Sequence, residues 1–415
     1  MITESVSPAA TSNDVPHRRR RGLLRPLLIC AALIAPALIL RFSGIHPEPV
    51  VALVVYGVAV VAASFLLAWA AEAAQMDVSG GLAIAVLALI AILPEYAVDL
   101  YYAYTAGSDP AYVQYAAANM TGSNRLLLGL GWPVVVMAAL FVAKRTMGQR
   151  SNALVLDQRN RMELGFLMIA GVVAFIMPAT GQIHIVLGVA LIAWFGFYLY
   201  KLTRGATEEP DLIGTAAAIG ALPRRTRRIT VGALVVIAAA VILICAKPFA
   251  ESLISAGGQL GIDQFLLVQW LAPLASEAPE FVIAILFAIR GKGAMAIGML
   301  IASKVNQWTL LVGSLPIAYL AGGGGTSLML DARQVEEMLL TATQTMMGVL
   351  AILALRFHRV TAWALLALFV VQFPITSTEG RLVLAGIYAV IAVAAAIVHR
   401  RHIVDTLTAP FRPTT

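Results

Sequence analysis

Runs of about 20 apolar residues return again and again along this chain, and that recurrence decides what it can fold into. In hydrocarbon every backbone N–H and C=O must be satisfied internally, so runs of this length form helices that cross a bilayer. Twelve candidate spans can be marked: 25–42, 49–72, 80–104, 112–142, 163–178, 183–200, 229–256, 263–289, 293–321, 336–355, 361–374 and 381–399. Of 415 residues, 60% are hydrophobic and 12% charged, with a mean hydropathy of +0.86. The longest gap, 201–228, is too short for a soluble domain. The expected fold is therefore an all-α multi-pass membrane protein with about 12 transmembrane helices.

The net charge of +7 is explained by topology rather than by nucleic acid. Lys and Arg concentrate in alternate loops, with 23 of 29 on one side if the N-terminal tail is cytoplasmic. Arg18 to Arg21 and Arg25, the 143–162 loop and the 201–228 loop hold most of them. Both termini are predicted cytoplasmic, in a plasma (inner) membrane. The Arg224–Arg228 run invites anionic lipid, but retention of positive charge inside accounts for it. No convincing cleavage site follows Arg41-Phe42-Ser43, so the first span reads as a retained helix. Cys30 and Cys245 lie inside spans and make no disulfide framework. Zinc-ligand spacing, a nucleophile elbow and a dinucleotide fingerprint are all missing from the sequence, so an enzyme with a bound cofactor is not expected. Membrane lipids and inorganic cations are the expected partners, and no protein partner can be inferred.

Two spans carry a Pro-Glu pair. Leu93-Pro94-Glu95 lies in 80–104, and Ala275-Ser276-Glu277-Ala278-Pro279-Glu280 lies in 263–289. An acid near the bilayer centre costs roughly 2.5–3.5 kcal/mol on insertion scales and usually faces a cavity, a partner or an ion. A proline beside it removes a helical hydrogen bond and frees a carbonyl oxygen. Carboxylate and loosened carbonyl oxygens are what a hard cation takes as ligands.

The two pairs belong to an internal repeat. Asn124 precedes Gly131 as Asn306 precedes Gly313, and Leu156-Asp157-Gln158-Arg159 is answered by Leu330-Asp331-Ala332-Arg333. Glu163 and Glu337 open the following span on each side, while Glu72 and Glu251 mark the preceding one. The expected organisation is a basic tail (1–24), an extra helix (25–48), a first five-helix repeat (49–200), a linker (201–228), a second repeat (229–375), and an extra helix with a tail (376–415). Five is odd, so the two repeats run in opposite directions through the membrane. Glu95 and Glu280 then both fall within roughly 6 Å of the midplane at 1.5 Å per residue.

These residues resemble the membrane region of the sodium/calcium exchangers, within the calcium/cation antiporter superfamily, over roughly residues 49–375. Leu93-Pro94-Glu95, Gly122-Ser123-Asn124 and Ala275 to Glu280 carry the resemblance. Pro273 to Glu280 is also similar in length to the corresponding motif of the cation/proton exchanger branch. The resemblance implies Glu95 and Glu280 as shared cation ligands, with Asn124, Asn306, Ser276, Thr121 and Ser303 as further oxygen donors. Sodium/calcium spacing counted from Glu280 would favour Gln307 over Asn306, and the cation/proton spacing favours the asparagines.

The chain also departs from the pattern. Relatives place hydroxyls just before Pro-Glu, where the first repeat has Ala91 and Ile92. Four additional charges appear, Asp99 and Arg125 in the first repeat, Glu277 and Lys304 in the second. Asp99 shares a helical face with Glu95, and Glu277 shares one with Glu280. The expected charge compensation is Asp99 with Arg125 and Glu277 with Lys304, because a lone buried cation costs far more than a paired one. The expected function is a secondary active cation antiporter moving calcium or sodium against protons (or sodium) by alternating access. The alternative is a non-transporting or regulatory protein on the same scaffold, its cation site neutralised by Arg125 and Lys304.

Overall fold

The computed structural model describes residues 14–77, 90, 92–148, 151–204 and 212–413. Residues 1–13, the 80–89 part of the expected third span, Ala91 and linker residues 205–211 lie outside the described residues. The first half contains α1 (Asp14–Ser43), α2 (Pro49–Ala74), α3 (Leu93–Ala106) and α4 (Val113–Leu126). A π turn, Leu127–Gly131, carries α4 into α5 (Trp132–Met147). β1 (Ala153–Val155), α6 (Asn160–Ala174), α7 (Ile176–Thr180), β2 (Gln182–His184) and α8 (Ile185–Thr203) follow.

After α9 (Gly214–Gly220), the second half holds α10 (Arg224–Leu260), α11 (Gln264–Ile289) and α12 (Gly293–Asn306). A second π turn, Gln307–Leu311, leads into α13 (Val312–Ala321). Then come β3 (Ser327–Met329), α14 (Ala332–Ala351), β4 (Arg356–His358), α15 (Arg359–Val371), α16 (Thr378–Val398) and α17 (Arg400–Thr408).

Among the described residues, nine helices are long and apolar enough to cross a membrane. Three expected spans are not among these nine, and two of them, 336–355 and 361–374, differ for physical reasons. Only the second half of 80–104 is described, as α3. α15 is apolar but short. α14 is a 20-residue helix whose Gln334, Glu336, Glu337, Thr341, Gln344 and Thr345 lower its hydropathy although all are buried. It is an interior helix that sees protein on every side, so it can carry polar groups that a lipid-facing helix could not.

Small residues let the bundle close. α2 packs against α10, and both helices bury small residues, Ala59, Ala63 and Ala70 on α2 and Ala238, Cys245 and Ala250 on α10. Both cysteines are buried and free, so they serve as small core residues. α4 meets α11 at Gly122, where an added Cβ would lie 1.7 Å from the Gln269 carbonyl oxygen. Only glycine permits that approach.

The strands pair across the halves. β1 joins β4 antiparallel, with Leu154 opposite Phe357, and β2 joins β3, with Ile183 opposite Leu328. Thus the first strand of the first half meets the second strand of the second half, and the reverse.

Candidate functional site

Pro94 stands in the first turn of α3, where a missing N–H costs nothing, and Glu95 follows it in that turn. Pro273 and Pro279 instead lie inside α11, and the helix continues through them. Glu277 and Glu280 occupy the stretch around Pro279.

The two acid-bearing helices are joined by the start of the second π turn. Gln307 Nε2 donates to Glu277 Oε1 at 2.7 Å and to Glu95 Oε1 at 3.2 Å. One amide thereby bridges a carboxylate of α3 and a carboxylate of α11. Ser303 Oγ donates to Glu280 Oε2 at 2.6 Å. The Ser123 hydroxyl on α4 stands beside both Glu95 and Glu277, and the Glu280 charge acts on both of those acids. Glu95 is 5% exposed and Glu277 2%. Three like charges this close repel strongly in a low-dielectric interior, and a divalent cation or protons relieve the repulsion. Among the described residues no three acidic, His or Cys side chains form a ready-made metal shell. The Gln307 amide stands between two of the carboxylates instead.

Of the expected oxygen donors, Ser303 alone meets a carboxylate. Ser276 Oγ donates to the carbonyls of Ala272 and Pro273 within its own helix. Thr121 donates to Ala117 and Ala118 carbonyls and accepts from Gln269. Asn306 accepts from the Tyr96 hydroxyl at 2.8 Å, and Asn124 is taken by Lys304. Gln307, the residue that sodium/calcium spacing favoured, makes the contacts to Glu95 and Glu277.

Both expected charge pairs are corrected. Arg125 does not meet Asp99; its Nη2 lies 2.5 Å from Glu337 Oε2 on α14, its Nη1 donates to Gln372, and its guanidinium stacks 5.0 Å from the Trp270 ring centre. Helix phase is the reason. Asn119 and Ser123 share the face of α4 that looks toward α3 and the acids, whereas Thr121 and Arg125, also four apart, share the opposite face. Asp99 therefore meets Asn119, whose Nδ2 donates to it at 2.9 Å. Lys304 likewise makes no ion pair with Glu277. Its Nζ donates to the Asn124 carbonyl at 2.7 Å and to Asn124 Oδ1 at 3.0 Å, and Glu277 is an electrostatic neighbour beyond contact.

A second buried polar cluster escaped the sequence reading. Glu337 is ion-paired to Arg125 and to Arg381 of α16, and accepts from Gln269 Nε2 at 3.1 Å, which also donates to Thr121. Arg381 is 6% exposed and lies near the start of its helix. An arginine near a helix end is ordinarily solvated, and this one is drawn inward to Glu337 instead. The i, i+4 spacing of Glu337, Thr341 and Thr345 was the available signal of a polar inward stripe.

The sodium/calcium exchanger protein family model matches residues 48–204 and again 230–376. A solved structure titled as the H+/Ca2+ exchanger CAX is 40% identical, covers 93% of this chain and 97% of its own, and superposes with a TM-score of 0.86. Native YfkE shares the fold at 16% identity and a TM-score of 0.59, covering 88% of this chain and 99% of its own. The sodium-calcium exchanger NCX_Mj shares it at 17% identity and a TM-score of 0.51, covering 84% and 99%. No curated protein matches the chain significantly. A twice-matched family model and a relative this similar over nearly the whole length make the chain a member of the sodium/calcium exchanger family, a multi-pass cation antiporter and a secondary transporter rather than an enzyme.

Proposed function

We propose that this antiporter exchanges calcium for protons by alternating access at a midplane site built on Glu95, Glu277 and Glu280. The observation that carries the reading is the convergence of acids from α3 and α11 on Gln307, which opens the second π turn, and on Ser303 in the last turn of α12. Carboxylates that hold a cation when ionised and protons when neutral couple the two, because both cannot occupy the same oxygens. The 40% identity to a protein titled an H+/Ca2+ exchanger supports calcium over sodium as the cargo. Gln307 holds two of the acids in place between cycles, and an entering cation replaces its two N–H contacts.

The architecture we propose around this site has about twelve crossings in two inverted five-helix units, 49–200 and 229–375, with one helix added at each end. The paired π turns and the crossed strand pairing support an inverted relation. Both termini would face the cytoplasm of a plasma (inner) membrane, as the distribution of Lys and Arg favours. The non-transporting alternative loses half its support, since Arg125 faces Glu337 and not the acids. Lys304 remains within electrostatic reach of Glu277.

The test is calcium uptake into proteoliposomes under an imposed pH or sodium gradient. Glu95→Gln and Glu280→Gln should each abolish uptake while expression and monodispersity stay near parental. Half-parental uptake in either variant would make that acid structural. A parent protein that moves neither calcium nor sodium under either gradient would favour the non-transporting reading.

A further inference from the structure

Asp99, one helical turn from Glu95 on the side of the Gly107–Asp109 loop, and Asn119 of α4 are both fully buried, at 0% exposure. Asn119 Nδ2 donates to Asp99 Oδ1 at 2.9 Å. The remaining two oxygens of the pair, Asp99 Oδ2 and Asn119 Oδ1, have no donor among the described residues. Both are acceptors, so no rotation of either group lets one satisfy the other. One proton resolves both at once. Carried on Asp99 Oδ2, it can be donated to Asn119 Oδ1, closing the two-hydrogen-bond ring that a carboxylic acid makes with an amide. Left ionised, Asp99 would be a buried charge without a cation partner, since Arg125 lies on the far face of α4. The titratable groups whose charges act together with Asp99 are Glu95, Tyr96 and Tyr102, and none of them is cationic.

We propose that Asp99 and Asn119 form a proton-holding station, separate from the cation site, that passes protons between Glu95 and the loop-side face of the membrane. The station itself stands on geometry alone; its relay role rests on the proton exchange proposed above. In the relay the Asp99 O–H bond breaks as the O–H bond on Glu95 forms on cation release, and Asp99 takes its next proton from water on the loop side. Residues four apart on a helix have Cβ atoms about 5–6 Å apart, a gap that one water bridges.

Infrared spectra of the full-length protein in lipid nanodiscs test the station without reference to transport. At neutral pH a neutral-carboxyl C=O band should be present, should lose intensity in Asp99→Asn, and should persist in saturating calcium. In Asn119→Leu the same band should move to higher frequency, because the acid loses its acceptor. An unchanged band in Asp99→Asn overturns the station, and removal of the Asp99 band by calcium makes the pair a cation ligand instead. Proton-driven calcium uptake should fall at least about tenfold in Asp99→Asn, with calcium affinity within about twofold of the parent. A band that behaves as expected with unchanged uptake would leave a static neutral pair and overturn the relay. A parent that moves no calcium would overturn the proton-exchange reading while leaving the band result to stand.

Discussion

The buried ion pair of Arg125 with Glu337 permits a quantitative prediction that the sequence alone would have placed on the wrong residues. Glu337 is 0% exposed and Arg125 1%, their atoms approach to 2.5 Å, and Arg381 forms a second pair with the same carboxylate. Replacing Glu337 by Leu strands two buried guanidinium groups. Replacing Arg125 by Met removes one partner and leaves Gln372 and the Trp270 ring without their cation. Breaking one member of a buried pair typically costs about 3–5 kcal/mol, and removing both partners together restores much of the loss. Each single variant should therefore be destabilised by roughly 3–5 kcal/mol, and the double variant should fall short of additivity by at least about 2 kcal/mol. Arg381 keeps the recovery partial, because it stays charged after Glu337 is gone. The assay is equilibrium unfolding in mixed detergent–SDS micelles, with all four members of the cycle measured together. The same cycle on Asp99 and Arg125 serves as the control and should be additive within about 0.5 kcal/mol. Additivity for Arg125 with Glu337, or coupling of Arg125 to Asp99, would refute the helix phase on which the assignment depends.

Three further outcomes follow from single contacts. Gly122→Ala places a Cβ 1.7 Å from the Gln269 carbonyl oxygen, so α4 and α11 must separate, at a cost of at least about 1–3 kcal/mol; a thermal-shift assay showing parental stability would count against the packing. Gln307→Leu removes an amide donor shared by Glu95 and Glu277, and should change calcium affinity, read by calorimetry, by roughly tenfold, whereas Ser276→Ala, whose hydroxyl bonds its own helix, should change it little. Outside the spans, Arg227 makes two contacts to Asp77, at 2.6 and 2.8 Å, and its hydrogen bonds hold the carboxyl at about 2, below the ordinary 3.8. Because the folded value is depressed, the resulting stability is present above pH 4 and is lost as pH falls from 4 toward 2. Asp77→Asn should melt below the parent at pH 7, with the difference narrowing across that window; a constant difference would exclude the linkage.

By itself the sequence determined that this is a bundle of membrane-spanning helices, because hydrocarbon admits few backbone solutions and the apolar runs have the length one of them needs. It also placed Glu95 with Asp99, and Glu277 with Glu280, on common faces, since 3.6 residues per turn is a property of one helix and needs no neighbour. It pointed to the doubled Pro-Glu pattern and, by one spacing count, to Gln307, and the tertiary fold set the Gln307 amide against acids from both helices. What only the tertiary structure decided is which face of one helix looks at which face of another. Arg125 is one residue from Asn124 and two from Ser123, yet its guanidinium meets Glu337 while Ser123 stands beside Glu95 and Glu277. Successive residues point about 100° apart on a helix, so adjacent polar side chains see different neighbours. Arg381 shows the same limit. Its position near a helix start suggested solvent, but packing of α16 against α14 turned it inward to Glu337. Spacing fixes the direction of a side chain from its own axis, and the rotation and crossing of the next helix supply its partner.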